Sequence, residues 1–247
     1  QDWLEALPVG NGRLGAMVFG GVPSERICLN EDTLWSGRPV DRANPEARKT
    51  LPQARRLLFE KRYAEAEALL TDNFMGDRLE PGVNTYQVLT DLTLDFDHGD
   101  PATTYRRELD LDAATARTVY TADGVLYTRE VFVSAPDHVA VVRLSADAAG
   151  TLGVRIRLNR PENATVTADG EDRLLLQGRT RNEGVRFAVQ LEVHAEGGRV
   201  RADGDSLLLE NADGCTLFLA GHTDYRGDDP VERSTEVLGR ARARPLE

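Results

Sequence analysis

The chain has 247 residues, 41 acidic against 30 basic side chains, and a formal net charge of -11. With 40% hydrophobic and 29% charged residues it has the composition of a folded globular protein, which excludes wholesale disorder. The acidic balance argues against a nucleic-acid or anionic-membrane surface, because phosphates are held by clustered Lys and Arg, and no apolar run approaches the ~18 residues of a membrane-spanning helix.

The length suits one large all-β domain or two small ones, and it buries enough surface that neither disulfides nor metals are needed for stability. All basic residues but Lys49 and Lys61 are arginine, a bias that fits a GC-rich, bacterial genome. Cys28 and Cys215 are the only cysteines, and two buried free thiols are expected in preference to a bridge. The chain opens Gln1-Asp2-Trp3, without an initiator Met or a charged-then-apolar leader. It therefore reads as a processed or trimmed start, and no compartment, cytoplasmic or secreted, is legible.

In chain order, residues 1–40 are rich in glycine and apolar side chains, with strand-like runs at 14–19 and 25–29. Gly10, Gly12, Gly15, Gly20 and Gly21 invite a phosphate-loop reading. No Gly-Lys-Ser/Thr follows and no strand–helix unit surrounds them, so they read as bulges or close approaches in β structure. Leu29-Asn30-Glu31-Asp32-Thr33-Leu34-Trp35-Ser36-Gly37 reads as a loop. Glu31 and Asp32 suggest a glycosidase acid/base pair, but sequence neighbours point apart, and an inverting pair must flank a sugar across about 6.5–9.5 Å. Either Asn30 and Asp32 satisfy loop backbone groups while Trp35 packs as an anchor, or the loop lines a sugar cleft or docks onto a second domain.

Residues 44–76 read as helical. Asn44-Pro45 places a cap before proline at the first helical position, and Thr50 with Pro52 repeats the signal. Leu51, Ala54, Leu57 and Leu58, then Ala66, Leu69 and Leu70, recur every three to four residues. This predicts two or three short covering helices over about 45–72, broken near Lys61-Arg62.

From 85 to 226 the period changes to two. Leu92, Leu94 and Phe96 alternate with polar residues, and Val125, Tyr127, Arg129, Val131 and Val133 share one face. Similar runs fall at 139–145, 152–158, 173–177, 185–194, 206–210 and 215–220. Asp-Gly pairs at 123–124, 169–170, 203–204 and 213–214 predict tight hairpin turns. A dozen or more strands with no βαβ rhythm predict a mainly β chain, a large antiparallel two-sheet sandwich over residues 1–227. Residues 228–247 open a helix at Asp229-Pro230, with Val231, Thr235 and Leu238 on one face. A solitary amphipathic helix has little stability in water and is expected to need a partner surface outside this chain. The final Leu246-Glu247 resembles an expression-vector scar.

Chemistry-bearing motifs are few. His98, His138, His194 and His222 lack ligand spacing, so no metal site is expected, and no Gly-x-Ser-x-Gly is present. The run Trp3-Leu4-Glu5-Ala6-Leu7-Pro8-Val9-Gly10-Asn11-Gly12-Arg13-Leu14-Gly15-Ala16-Met17-Val18-Phe19-Gly20 nonetheless resembles the opening of glycoside hydrolase family 95, the bacterial and plant α-L-fucosidases. So do Glu25-Arg26-Ile27 with the 29–37 segment, Tyr105-Arg106-Arg107-Glu108-Leu109-Asp110-Leu111, Arg129-Glu130-Val131-Phe132-Val133-Ser134 and Thr223-Asp224-Tyr225-Arg226, in order along nearly the whole chain.

The resemblance implies an N-terminal β-super-sandwich followed by a helical linker and an (α/α)6 catalytic barrel, the last absent from these residues. It implies inverting hydrolysis of terminal α-L-fucosides, commonly α-1,2-linked, with the catalytic groups in the barrel. No catalytic residue, metal or cofactor is expected in this chain. Its implied partners are the downstream barrel and, for the whole protein, a fucosylated oligosaccharide. Arg13, Asn30, Glu31, Asp32 and Trp35 are the candidates for a cleft rim or docking loop. A free-standing carbohydrate-binding module is the alternative, with an autonomous enzyme using Glu31 or Asp32 behind it. Docking predicts an exposed apolar face at the 29–37 loop or the C-terminal helix.

Overall fold

Alternation of apolar and polar side chains becomes fifteen strands among the described residues, which are 2–37, 41, 43–76, 84–99 and 103–243 in this computed structural model. The chain divides into two compact units, Gln1–Ser36 with Tyr86–Glu247, and Gly37–Thr85. The first unit holds the strands. Seven of them, β1 (Leu7–Gly10), β2 (Leu14–Val18), β3 (Ser24–Glu31), β4 (Thr90–Phe96), β9 (Leu152–Asn159), β13 (Arg199–Asp203) and β14 (Ser206–Ala212), form one sheet in the order β1-β2-β3-β4-β9-β14-β13. The other eight are β5 (Thr104–Asp110), β6 (Thr115–Ala122), β7 (Val125–Val133), β8 (Ala140–Ala146), β10 (Ala164–Ala168), β11 (Arg173–Arg179), β12 (Arg186–Glu196) and β15 (Gly214–Thr223). They form the second sheet in the order β10-β11-β12-β15-β8-β7-β6-β5, and the pairings in both sheets are antiparallel.

The inward rows of the two sheets meet in one apolar core. Ile27, Leu92, Leu94, Ile156 and Leu207 come from the first sheet, and Val131, Val142, Leu191 and Leu217 from the second. This is the expected two-sheet sandwich. Both thiols are free and buried. Arg129 follows the alternation of β7 inward and is 1% exposed. Its guanidinium meets the fully buried Glu25 of β3 in an ion pair between the sheets, donates to the Gly21 carbonyl at 3.0 Å, and lies 4.7 Å over the Phe96 ring.

The Asp-Gly pairs divide into two kinds. Asp123 and Gly124 both take positive φ and join β6 to β7 in a two-residue turn, while Gly170 and Gly204 supply positive φ in the β10–β11 and β13–β14 turns. The pair at 213–214 is no hairpin, contrary to expectation. It lies where the chain passes from β14 in one sheet to β15 in the other, and Asp213 Oδ1 accepts the Gly150 N–H at 2.7 Å.

Helix α3 (Pro230–Ala241) starts at Asp229, whose carboxylate accepts the Val231 and Glu232 N–H groups at 2.9 and 3.2 Å. Two expectations about it are corrected. Its buried face is Pro230, Ser234, Val237, Leu238 and Ala241, whereas Thr235 is exposed. Its partner surface lies within this chain, since Val237, Leu238 and Ala241 pack on Val141, Phe218 and Ala220 of the second sheet and on Val139 just before β8. Residues 244–247, including Leu246-Glu247, lie outside the described residues.

In the second unit, α1 (Pro45–Phe59) is capped by Asn44, whose Oδ1 accepts the Glu46 N–H at 2.9 Å and whose amide donates to the Met75 carbonyl at 3.1 Å. Pro52 does not open a second helix but lies inside α1, where its missing N–H leaves the Arg48 carbonyl without its usual donor. The expected break falls at Lys61, which takes positive φ before α2 (Tyr63–Asn73). Among the described residues no helix is long and apolar enough to cross a membrane.

Candidate functional site

Gly10-Asn11-Gly12-Arg13 closes the β1–β2 hairpin. Gly12 takes φ +90°, a conformation glycine adopts without strain. Asn11 Oδ1 accepts the N–H groups of Arg13 and Leu14 at 3.0 and 2.9 Å, while its amide donates to the Ser134 carbonyl between β7 and β8 at 2.9 Å. One asparagine thus shapes the turn and ties it to the opposite sheet.

The turn directs Arg13 across the end of the sandwich. Its Nη1 donates to the Gly221 carbonyl of β15 at 2.7 Å and to Glu31 Oε1 at 3.3 Å, and its Nη2 to the His138 carbonyl at 3.2 Å. Burial lowers the Arg13 pKa, opposed by Glu31. Glu31 ends β3 and is 3% exposed. Its Oε2 accepts the Thr33 N–H at 2.8 Å and the Thr33 hydroxyl at 2.6 Å. With that proton directed at the carboxylate, the Thr33 oxygen must accept from the Thr223 hydroxyl, whose own oxygen accepts the Tyr225 N–H at 3.3 Å. Burial raises the Glu31 carboxyl above its ordinary range, and the Thr33 bonds pull it back.

These groups line a cavity of about 160 Å³ together with His138, His222, Arg226 and Asp228, and Arg233 and Val237 from α3. Nε2 of His222 is buried with no hydrogen-bond partner among the described residues. Burial, with Arg13, Arg233, His138 and Arg240 nearby, pushes the His222 imidazole down to about 3, so it is neutral at physiological pH. His138 takes a left-handed backbone at φ +59°.

The five sequence candidates separate here. Arg13 and Glu31 line the cavity. Asp32 is exposed, its N–H donating to the Arg13 carbonyl at 3.0 Å and its carboxylate 3.8 Å from Arg226. Glu31 and Asp32 therefore point apart. Asn30 lies within β3 opposite Gly15, is half-buried and is not part of the cavity lining. The loop begins after Glu31 rather than after Leu29. The buried anchor is Leu34 at 0% exposure, not Trp35 at 48%. Trp35 sits edge-on to the exposed Tyr86 with ring centroids 5.5 Å apart. His138, His222 and Thr223 were not expected as one site, since Thr223 stood only in a motif and the histidines lie far apart in sequence with no spacing rule to join them. Among the described residues no group of three or more His, Cys, Asp or Glu side chains could hold a metal ion.

Residues 1–228 match the family described as Glycosyl hydrolase family 65, N-terminal domain. The chain belongs to that family. It is thus the N-terminal domain of a glycoside hydrolase, and its relatives carry the fucosidase likeness. It is 33% identical to alpha-L-fucosidase 2 of Arabidopsis thaliana, over 97% of this chain and 32% of that protein. It is 36% identical to a protein named alpha-fucosidase A in Aspergillus niger, over 63% of this chain and 20% of that one. A solved structure described as a kojibiose phosphorylase from the human microbiome shares the fold, with a TM-score of 0.55 at 11% identity over 98% of this chain and 34% of that chain. The glycosidase N-terminal domain therefore spans about a third or less of the length of these relatives.

Proposed function

We propose that this domain serves an α-L-fucosidase of the family 95 type, supporting and docking on a catalytic barrel formed by further polypeptide. The whole protein hydrolyses terminal α-L-fucosides, α-1,2-linked, with inversion. A carboxylic acid in the barrel protonates the leaving oxygen while an activated water attacks the opposite face of the ring. Arg13, Glu31, Asp32 and Trp35 belong to the end of the sandwich that meets the barrel or rims its cleft.

The observation that carries this reading is the state of Glu31. Both of its oxygens are engaged, one by Arg13 and the other by Thr33 twice, so the carboxyl shapes the turn rather than waiting for a substrate proton. Trp35, Tyr86 and Tyr225, 48%, 43% and 59% exposed, give the same end an aromatic surface of the kind that interfaces use. The test is turnover of an aryl α-L-fucoside. The 247-residue chain is expected to show none, and the product of the whole gene to release the β-anomer first. Turnover by the chain alone that is lost in Glu31→Gln overturns the assignment.

A further inference from the structure

The cavity behind Arg13 has chemistry that the docking role does not use. The larger groove, about 640 Å³ beside β11, β12 and the start of α3, has its arginines engaged: Arg179 donates to the Gly184 carbonyl at 2.9 Å, and Arg186 to Asp224 at 2.9 Å and Asp229 at 3.3 Å. The pocket over β5 and β6, about 300 Å³, is an open surface of exposed and half-buried strand residues. The 160 Å³ cavity differs, because several of its polar groups have capacity to spare.

Its charges nearly cancel. Arg13 is matched by Glu31, Arg233 by Glu236 at 2.5 Å, and Arg226 lies 3.8 Å from Asp32, with Asp228 also on the lining. What remains is a mixture of donors and acceptors without a dominant sign. Among the described residues Arg226 pairs with one carboxylate, at the long distance of 3.8 Å, so its guanidinium can donate elsewhere. Asp228 accepts, and His222 stands in the wall as a neutral ring whose Nε2 is buried. An anion would gain from the arginines and lose against Asp228 and Glu31. A neutral hydroxylated ring suits the set better, because each hydroxyl both donates and accepts. The volume, about 160 Å³ or about five waters' share of the liquid, is on the scale of one small ring. Val237 supplies an apolar wall.

We propose that this cavity binds a single neutral pyranose residue, with Arg226 and Asp228 as its hydrogen-bonding contacts and His222 in its wall. This rests on the cavity and not on the fucosidase reading, although that reading makes L-fucose the first probe.

The test follows the imidazole C–H signals of His138 and His222 in the intact chain by NMR. L-fucose, methyl α-L-fucoside, D-galactose, D-glucose and inorganic phosphate are added in turn. A saturable shift of His222 with a millimolar dissociation constant for any of the sugars is expected. Arg226 and Asp228 are exposed, so Arg226→Ala and Asp228→Asn should fold normally and weaken binding by about tenfold each, the value of one lost charged hydrogen bond. Saturation by galactose or glucose but not by fucose supports the site and counts against the fucoside reading. Absence of saturable shifts with every sugar, or saturation by phosphate alone, overturns the proposal.

Discussion

Arg129 is the clearest case of a side chain whose position the pattern foretells and whose partner it does not. The period of β7 puts it on the inward row, while Glu25 lies on the other sheet and far away in sequence. Removing one member of a fully buried pair strands the other charge, at a cost of about 3–5 kcal/mol. Arg129→Met is therefore expected to lower urea stability by that order. Glu25→Gln combined with Arg129→Met should cost less than Arg129→Met alone, because no charge is then stranded. Equal losses would mean that the pair contributes by packing alone. His222 gives a second prediction. Its folded pKa of about 3 lies below the free value of 6.5, so in that interval the unfolded chain takes up a proton that the folded one refuses. Its contribution to stability is therefore lost as pH falls from about 6.5 toward 3. Glu31, with its raised pKa, acts in the opposite direction. The difference between wild type and His222→Gln isolates the histidine. The variant should lose less stability between neutral and acid pH, and parallel curves would show that His222 is not held neutral. The sequence pointed to Arg13 and Glu31, but their junction with His222 and Thr223 forms only when β2, β3 and β15 are brought to one end of the molecule.

Among the elements, α3 shows how a local signal can be right while its surroundings are misjudged. Asp229-Pro230 marks the start of the helix, and the cap is made as written. Asp229→Ala should destabilise the domain by about 1 kcal/mol, the usual value of an N-cap, while Asp229→Asn keeps an acceptor and should cost less. Identical losses in thermal unfolding would locate the effect in the Arg186 ion pair instead. The choice of buried face went wrong because Ser234 and Ala241 count as weakly apolar in the sequence, yet small side chains are what let a helix lie close on a sheet. The strands were legible because one face of each is buried, so alternation survives along them. The Asp-Gly pair at 213–214 misled for a related reason: the dipeptide favours a turn but does not say whether the next strand returns to the same sheet. Pro52 reads as a helix start by propensity, but the rest of α1 carries the helix through it.

At the scale of the whole molecule, the decisive feature is where Gly37–Thr85 departs and returns. The strands flanking this unit, β3 and β4, are already paired from Leu29 with Thr90 to Ser24 with Asp95, and Trp35 bridges Tyr86 beyond them. The sandwich is thus closed on itself at the point of insertion. Joining Gly37 directly to Thr85 leaves Ser36, Gly37 and Thr85 as a three-residue loop between Trp35 and Tyr86, a length that hairpins use, with Gly37 already at φ +75°. Loop-closure entropy favours the shorter connection. The shortened chain is expected to keep the near-ultraviolet circular dichroism of a packed core and a urea midpoint no lower than that of the full chain. It should lose the helical far-ultraviolet signal of α1 and α2. The NMR shifts of His138 and His222 should be unchanged, because the cavity residues all lie in the first unit. Aggregation, or a core that melts without cooperativity, would show instead that residues 37–85 are required to complete the sandwich.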